Sequence, residues 1–508
     1  MDIYKKSLTQ LAALLNSKQI SSKELTKYFL KRIAKYDSKL NSFISVNEDY
    51  ANQQADNADK LISAGKNNFL TGIPIAHKDL FSTKDIFTTC GSKMLEKYLP
   101  PYDATVVKKL NDAGMISIGK TNMDEFAMGS SNESSYFGDV KNPWNLEKVP
   151  GGSSGGSASA VAARLSPVAT GSDTGGSIRQ PAAFCGLTGL KPTYGSVSRY
   201  GMIAYASSLD QGGPIGKSAE DCAVIFDEIK GFDKNDSTSN HQIDFKKTQL
   251  NLTKDDVNKI TIGIPKEYFS QEMNEDISKI IFQAIEEFKN LGFNIKDITL
   301  PDHRYSIPAY YIIASAEASS NLSRYDGVKF GYRCQDPISL EDLYFRTRKE
   351  GFGTEVKKRI MIGTYALSSG YYDEYYMRAL KIRRIIRDNF KEAFKEVDFI
   401  FSPTSPTTAF NIGEKTSNAL EMYLSDVYTT PVNLAGLPAI SIPVGFNNQL
   451  PVGMQIIGDY FSESNILNIA NYFQKETDWH NYIPEEFNHE WLGKCNRSRD
   501  TCSINDKE

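Results

Sequence analysis

The stretch that decides the fold reads Gly151-Gly152-Ser153-Ser154-Gly155-Gly156-Ser157, and it continues after a short interval as Gly171-Ser172-Asp173-Thr174-Gly175-Gly176-Ser177-Ile178-Arg179. Two serines flanked by glycine, Ser153 and Ser177, lie 24 positions apart in it. Glycine lets backbone N–H groups approach a bound ligand closely and lets the chain adopt conformations that other residues avoid. A serine nucleophile beside an oxyanion site needs both properties. The stretch therefore indicates serine acyl-transfer chemistry.

The base that would activate such a serine is not evident among the histidines. A serine hydroxyl is a weak nucleophile until a base removes its proton, and the usual base is a histidine held by a carboxylate. None of the five histidines lies in the glycine-rich region, and we interpret His77 as a packing or hydrogen-bonding neighbour. Lys78 follows an apolar run, and burial can lower a lysine pKa by about 3 units. We predict Lys78 as the base, although the residues alone leave a solvated surface lysine open.

The residues from 151 to 195 resemble the signature of the amidase signature family almost throughout. The resemblance implies an α/β fold, the amidase signature fold, with a mixed central β-sheet covered by helices. It also implies a Ser-Ser-Lys triad in which Ser177 is the acylated nucleophile, Ser153 a bridging serine entered by a cis peptide bond, and Lys78 the terminal base. The implied oxyanion site consists of backbone N–H groups in the turn before the nucleophile, namely those of Thr174, Gly175, Gly176 and Ser177.

Other segments resemble one branch of the family, whose members hydrolyse glutamine to supply ammonia to a tRNA-dependent amidotransferase. The resemblance implies that this chain is a glutaminase subunit for the conversion of Glu-tRNA(Gln) to Gln-tRNA(Gln), with Asp-tRNA(Asn) to Asn-tRNA(Asn) left open. It implies no cofactor or metal in this chain. The expected partners are a B subunit, which binds ATP and Mg and the mischarged tRNA, and a C subunit. The matching segments are 128–134, 315–324, 359–363, 368–372 and 431–438.

The same resemblance implies a glutamine pocket in which Arg359 holds the α-carboxylate and Asp426 the α-amino group, with Tyr310 nearby. The chemistry fits independently, because a free amino acid is selected by a guanidinium fork for its carboxylate and a carboxylate for its ammonium. From the residues alone, each of these two charged groups is more often half of a structural ion pair.

Two alternative functions stay open at this point. One is a stand-alone amidase that acts on another small amide with the same triad; Arg359 with Asp426 favours an α-amino-acid substrate over it. The other is a non-catalytic scaffold, against which the intact Lys78, Ser153 and Ser177 argue.

Composition limits the partners and the compartment. The 508-residue chain carries 58 basic and 62 acidic residues, a net charge of −4, so no basic face dominates and a tRNA would need a partner to hold it. The N-terminal residues resemble neither a signal peptide nor a membrane span, so we expect no membrane contact. The six cysteines are dispersed, which fits a reducing cytoplasm.

We expect one domain, since the residues of the site are spread along the chain and must meet in one pocket. The predicted amidase domain spans 1–492, with the signature core at about 70–215 and a polar surface excursion at about 233–257. The tail, 493–508, lacks apolar periodicity and is predicted to be disordered.

Local patterns predict several elements. Ser21 to Glu24 reads as a capping box that opens a helix, residues 275–290 as a helix, and the apolar runs 260–264 and 399–401 as buried strands.

Three further motifs match other chemistries, and we reject each of them. Residues 114–121 fit the phosphate-loop pattern, but a phosphate loop follows a strand and opens a helix, whereas here 105–113 reads as a helix and 115–118 as the strand. The run 151–155 fits a nucleophile elbow but lacks the apolar strand before it, since 140–150 is polar. The third motif fits no compact zinc spacing and consists of His480, His489, Cys495 and Cys502.

Overall fold

The computed structural model describes residues 2–269, 273–300, 305–416 and 418–489. The predicted disordered tail, 493–508, lies outside the described residues, and so do Cys495 and Cys502.

A single mixed sheet runs through the described residues. Its eleven strands lie in the order β1-β3-β2-β4-β6-β5-β10-β11-β9-β7-β8. The pairs β2–β3, β2–β4, β7–β8 and β7–β9 are parallel, and the other neighbours are antiparallel. The strands are β1 Phe43–Val46, β2 Pro74–Lys78, β3 Ile116–Thr121, β4 Val168–Asp173, β5 Thr188–Lys191, β6 Gln211–Gly216, β7 Thr261–Pro265, β8 Asn294–Ile298, β9 Phe399–Pro403, β10 Ala439–Asn447 and β11 Leu450–Gly458.

Helices cover both faces of this sheet. Every residue of β2, β3, β4, β5 and β6 is buried. Along β2, Ile75 packs in one hydrophobic cluster and Ala76 in another, because successive side chains of a strand point to opposite faces. The predicted mixed sheet covered by helices is confirmed. The helices are α1 Leu8–Asn16, α2 Ser22–Leu40, α3 Glu48–Ser63, α4 Thr105–Asp112, α5 Gly155–Ala162, α6 Arg179–Phe184, α7 Ala219–Ile229, α8 Lys254–Val257, α9 Glu275–Asn290, α10 Ser306–Asn321, α11 Leu340–Gly351, α12 Thr354–Ala366, α13 Arg378–Ala393, α14 Ala419–Leu424, α15 Thr430–Ala435 and α16 Glu463–Glu476.

The local signals led to the observed elements. Ser21 caps α2 with a complete capping box, in which its hydroxyl accepts from the Glu24 N–H and the Glu24 side chain accepts from the Ser21 N–H. Helix α9 has the predicted bounds, and β7 and β9 occupy the two apolar runs.

The phosphate-loop motif ends in a strand, as predicted. Helix α4 precedes it, and Gly119, Lys120 and Thr121 belong to the buried strand β3. The Lys120 ammonium donates to the Phe81 carbonyl oxygen inside the protein. The motif is therefore part of the core.

The polar segment 233–257 contains, apart from α8, neither helix nor strand. Its first residue is tied to the body of the protein, since the Asp233 carboxylate accepts from the Thr105 hydroxyl at 2.5 Å and from the Ser198 hydroxyl at 2.7 Å.

In the part of the chain that the structure describes, no helix is both long enough and apolar enough to cross a bilayer.

Candidate functional site

Lys78 ends strand β2 with its side chain fully buried. Its Nζ lies 2.7 Å from the Ser153 Oγ, and 2.9 Å from both the Ser154 Oγ and the Ser172 Oγ. Burial lowers the pKa of Lys78 to about 7, against the opposing pull of nearby acidic groups, of which Asp124 is the strongest. At neutral pH a large share of this amine is therefore unprotonated and can accept a proton from a serine.

Ser153 lies in the short segment that leads from the polar stretch 140–150 into helix α5. The Gly152–Ser153 peptide bond is cis. A Cβ on Gly152 would lie 2.1 Å from the Asp124 Oδ2, so only glycine fits against that carboxylate. The Gln180 side chain accepts the Gly152 N–H at 3.0 Å. The backbone on both sides of Ser153 is thus fixed by buried polar groups.

Ser177 lies in the turn between the end of β4 and the start of α6, and 8% of it is exposed. The Gly175 carbonyl oxygen accepts from the Thr429 hydroxyl at 2.7 Å, a contact that ties the turn to the segment before helix α15. Within the described part of the chain, the four N–H groups that the resemblance assigns to the oxyanion site donate to no acceptor. The turn therefore offers free backbone donors beside a serine hydroxyl, as an oxyanion site requires. The donors belong to Thr174, Gly175, Gly176 and Ser177.

A buried ion pair holds this turn. The Asp173 carboxylate accepts from the Arg179 Nε at 3.0 Å and from the Ile178 N–H at 3.2 Å. The Arg179 guanidinium also donates to the Gln455 and Asn433 side chains, at 2.8 and 2.6 Å. Burial alone would raise the pKa of Asp173, but the charge of Arg179 and its hydrogen bonds outweigh it and lower that pKa to about 2.

Removal of the cation should destabilise the fold. We expect Arg179→Met to lower the free energy of unfolding by about 3–5 kcal/mol, because it leaves the Asp173 carboxylate buried without its partner. Chemical denaturation of the folded chain measures this. Arg384→Met is the matched control, since the Arg384 side chain is 77% exposed and its ion pair with Asp388 lies in water. Equal losses in the two variants would contradict the prediction.

Arg359 lies on helix α12, and its buried guanidinium is surrounded by the rings of Tyr205, Tyr311 and Tyr423. Its Nη1 donates to the Glu355 carboxylate one turn earlier, and its Nε donates to the Tyr205 hydroxyl at 3.1 Å. The guanidinium carbon lies 5.2 Å from the Tyr311 ring centroid and 5.9 Å from that of Tyr423. Nη2 forms no hydrogen bond with a described residue. The group is thus anchored at one side and has a donor left for a ligand.

Asp426 lies between helices α14 and α15 and is nearly buried, at 7% exposure. Its Oδ2 accepts from the Ser130 hydroxyl, whereas its Oδ1 is buried and has no partner among the described residues. Burial raises the pKa of Asp426 to about 7. A buried acceptor without a donor is unfavourable, and the ammonium of a bound amino acid would satisfy it.

Tyr310 connects these two charged groups with the nucleophile turn. Its ring lies against Gly175, where a Cβ would come within 2.7 Å of the Tyr310 Cζ. The Tyr310 ring packs on that of Tyr311, over which Arg359 lies. The Thr429 hydroxyl, which donates to the Gly175 carbonyl oxygen, also lies 3.2 Å from the Asp426 carbonyl oxygen. The structure therefore brings the substrate residues predicted from the sequence to the oxyanion turn.

Sequence reasoning missed several residues that surround the site. Ser154 and Ser172 hydrogen-bond to the Lys78 Nζ together with Ser153, and their place in the glycine-rich stretch was the available signal. Ser130 belongs to a segment that resembles the glutaminase branch, but nothing in its spacing indicates a bond to Asp426. Asp124 accepts from the Asn132 N–H at 2.9 Å and lies against Gly152; no sequence pattern marks it.

His77 has a structural role in the core. The buried His77 hydrogen-bonds through its Nε2 to the Ser117 hydroxyl at 3.1 Å, and burial lowers its pKa to about 3. Among the residues that the structure describes, no group of three or more His, Cys, Asp or Glu side chains is arranged to hold a metal ion.

Comparison with known proteins agrees with this geometry. The family model described as Amidase matches residues 24–467. The A subunit of glutamyl-tRNA(Gln) amidotransferase from Marinomonas sp. (strain MWYL1) is 58% identical over 483 residues, which cover 95% of this chain and 99% of the relative. The protein of the same name from Coxiella burnetii (strain RSA 493 / Nine Mile phase I) is 58% identical over 484 residues, covering 95% and 100%.

Solved structures match over the same length. The crystal structure of the A subunit of glutamyl-tRNA(Gln) amidotransferase from Thermotoga maritima aligns with a TM-score of 0.77 at 40% identity, covering 95% of this chain and 98% of that one. The peptide amidase from Stenotrophomonas maltophilia aligns with a TM-score of 0.77 at 29% identity, covering 93% and 97%. The chain belongs to the amidase signature family, as its glycine- and serine-rich stretch predicted.

Proposed function

We propose that this chain is the glutaminase subunit of a tRNA-dependent amidotransferase, a glutamine-hydrolysing enzyme with a Ser-Ser-Lys triad. The observation that carries the proposal is the meeting of two opposite charges at Tyr423, whose ring centroid lies 5.9 Å from the Arg359 guanidinium carbon and whose carbonyl oxygen accepts from the Asp426 N–H at 3.2 Å. A free amino acid is the ligand that such a pair selects. The names of relatives 58% identical over nearly the whole chain point the same way.

In the proposed reaction, neutral Lys78 takes a proton from the Ser153 hydroxyl as Ser153 takes one from Ser177. The Ser177 Oγ attacks the side-chain carbonyl carbon of glutamine, and the oxyanion accepts from the free N–H groups at 174–177. Each such donor contributes about 3 kcal/mol to transition-state stabilisation. Collapse of the tetrahedral intermediate breaks the C–N bond, and the proton returns through Ser153 to the leaving ammonia. Water then hydrolyses the glutamyl ester by the same proton route.

The ammonia is proposed to pass to a B subunit that binds ATP, Mg and the mischarged tRNA, with a C subunit completing the assembly. The net charge of −4 fits a chain that leaves tRNA binding to a partner. Glu-tRNA(Gln) is the proposed acceptor, and Asp-tRNA(Asn) is a second candidate. A reducing cytoplasm suits the four described cysteines, which are buried and free.

Two other functions explain less of the site. A stand-alone amidase would need no ammonium acceptor, and it leaves the unpartnered Asp426 Oδ1 without a role. A scaffold without catalysis would not need a buried lysine hydrogen-bonded to three serines.

Ammonia release from glutamine tests the proposal. The purified chain is assayed alone and then with B and C subunits, ATP and Glu-tRNA(Gln). Strong stimulation by the full mixture, with Gln-tRNA(Gln) as product, is the expected result. Activity on simple amides that is indifferent to the partners would identify a stand-alone amidase instead.

Loss of the Asp426 charge or of the Arg359 guanidinium fork in the glutamine pocket should act mainly on KM. For Asp426→Asn we expect kcat/KM for glutamine to fall about 10- to 100-fold, the effect of one charge-assisted hydrogen bond. Glutaramic acid, which is glutamine without its α-amino group, should be hydrolysed equally well by the variant and the wild type. Arg359→Lys should weaken both substrates, since both carry the carboxylate. Selective loss of glutaramic acid hydrolysis in Asp426→Asn would contradict the assignment.

The acid limb of the pH profile should lie near pH 7. Lys78 must be unprotonated to act as a base and Asp426 must be ionised to bind an ammonium, and the pKa of each is about 7. Both groups gain a proton as the pH falls, so log kcat/KM should drop with a slope that approaches 2. In Asp426→Asn the slope should approach 1. Full activity down to pH 5 would show that a group with an ordinary carboxylate pKa acts instead.

A further inference from the structure

A groove with a volume of about 840 Å³ opens on the surface of the protein, and none of the proposed site residues lines it. Its walls are the segments 93–99 and 324–335, and its floor is the segment 201–204. We call it the basic groove, because its lining includes five basic side chains and a single acidic one, Glu96. The basic residues are Lys93, Lys97, Arg324, Lys329 and Arg333.

None of these five cations forms an ion pair with a described carboxylate. The Lys93 Nζ lies instead 4.4 Å from the centroid of the Tyr332 ring, and the Arg324 Nε donates to the Asn321 carbonyl oxygen at 2.8 Å. Five basic side chains against one acidic side chain make the lining of this concavity positive in a chain whose net charge is −4. Such a concentration raises the local density of anions and favours an anionic ligand.

The groove also presents apolar surface. Leu99 is 49% exposed and Phe330 55% exposed at its walls, and Tyr102 and Tyr332 add aromatic faces. Aliphatic and aromatic side chains that alternate with cations match a polypeptide that carries both carboxylates and apolar groups. A polynucleotide would need a broad positive surface along its backbone. Here exposed apolar side chains lie among the cations, and the Glu350 carboxylate, which accepts from the hydroxyl of the lining residue Tyr332, would repel a phosphate backbone.

We propose that the basic groove binds an extended acidic segment of a partner subunit, whose carboxylates pair with the five cations while its apolar side chains cover Leu99 and Phe330. The proposal rests on the proposed function, since it takes the chain to be one subunit of an assembly.

The walls of the groove are joined to the glutamine pocket. Ala204 on the groove floor precedes Tyr205, whose hydroxyl accepts from the Arg359 Nε. Met94 fills the space beside Gly351, where a Cβ would lie 2.6 Å from its Cε, and α12 begins three residues later at Thr354. A bound segment would therefore contact the same parts of the chain that position Arg359. We expect its binding to lower the KM for glutamine.

Charge reversal tests the proposal in the assembled protein. The variant combines Lys97→Glu, Arg324→Glu and Lys329→Glu. The matched control makes the same change of charge at exposed lysines elsewhere, with Lys247→Glu, Lys254→Glu and Lys259→Glu. We expect the affinity of the full-length chain for its B and C subunits to fall at least 10-fold in the groove variant and less than 2-fold in the control. Ammonia release by each free chain should match the wild type.

The occupant is identified by a photo-crosslink from the groove. p-Benzoylphenylalanine replaces the exposed Phe330, and the assembled complex is irradiated with and without tRNA. A crosslinked peptide from a partner subunit that is rich in Asp and Glu is the expected result. A crosslink to tRNA would overturn the proposal in favour of a nucleic-acid surface.

Negative outcomes separate the two proposals. If the wild-type chain does not assemble with B and C subunits, the proposed function and the groove both fail. If it assembles but the groove variant binds as tightly as the control, only the groove proposal is overturned.

Discussion

Ser177→Ala should abolish ammonia release from glutamine, with kcat at least about 10⁴-fold lower, since loss of the nucleophile removes the covalent route. The fold should survive, because the Ser177 hydroxyl forms no hydrogen bond with a described residue and the side chain is almost buried, at 8% exposure. A coupled ammonia assay measures the loss. Mass spectrometry of the quenched reaction should detect a glutamyl adduct on the wild-type chain and none on the variant.

The matched control for this prediction is Ser157→Ala, in the same glycine-rich stretch. The Ser157 hydroxyl donates to the Thr170 carbonyl oxygen at 2.9 Å, a contact within the core. Its removal should lower the free energy of unfolding of the protein and leave kcat within a few-fold of the wild type. An adduct that persists in Ser177→Ala would assign the nucleophile to another serine.

The sequence predicted the elements whose cause is local. The capping box at Ser21 and the helix at 275–290 are set by neighbouring residues, and the structure has them at the predicted bounds. The fold class followed from the signature stretch, because a long and specific motif identifies the family and members of one family share a fold.

Long-range contacts of the site could not be predicted from the chain. Asp426 meets Ser130 across almost three hundred positions, and its second oxygen is buried without a partner among the described residues. The position of Asp124 beside the site follows only from the packing of Gly152 against its carboxylate. Spacing along a sequence reports periodicity, whereas burial and an unsatisfied acceptor are properties of packing between distant segments.

A low pKa does not by itself identify the base, as the pair Lys78 and Lys191 makes clear. Both lysines are fully buried at the end of a strand, and burial lowers the pKa of each to about 7. The Lys191 Nζ donates to the Pro192 carbonyl oxygen at 2.8 Å, a group that cannot give up a proton. The Lys78 Nζ instead lies 2.7 Å from the Ser153 hydroxyl. Of these two lysines, Lys78 is therefore the one with a proton donor of the relay within reach.

Lys78→Met should therefore lower kcat for glutamine about 10⁴-fold, as removal of a general base from a nucleophile relay does, whereas Lys191→Met should retain kcat within a few-fold. Both variants replace a buried cation with an apolar side chain of similar length, so effects of burial and charge are matched. Stopped assays of ammonia release on each folded variant measure the difference. In Lys78→Met the acid limb of kcat/KM near pH 7 should keep a slope that approaches 1 instead of 2, because only Asp426 then gains a proton there. Equal losses in the two variants would mean that buried lysines support the fold and that another group accepts the Ser153 proton.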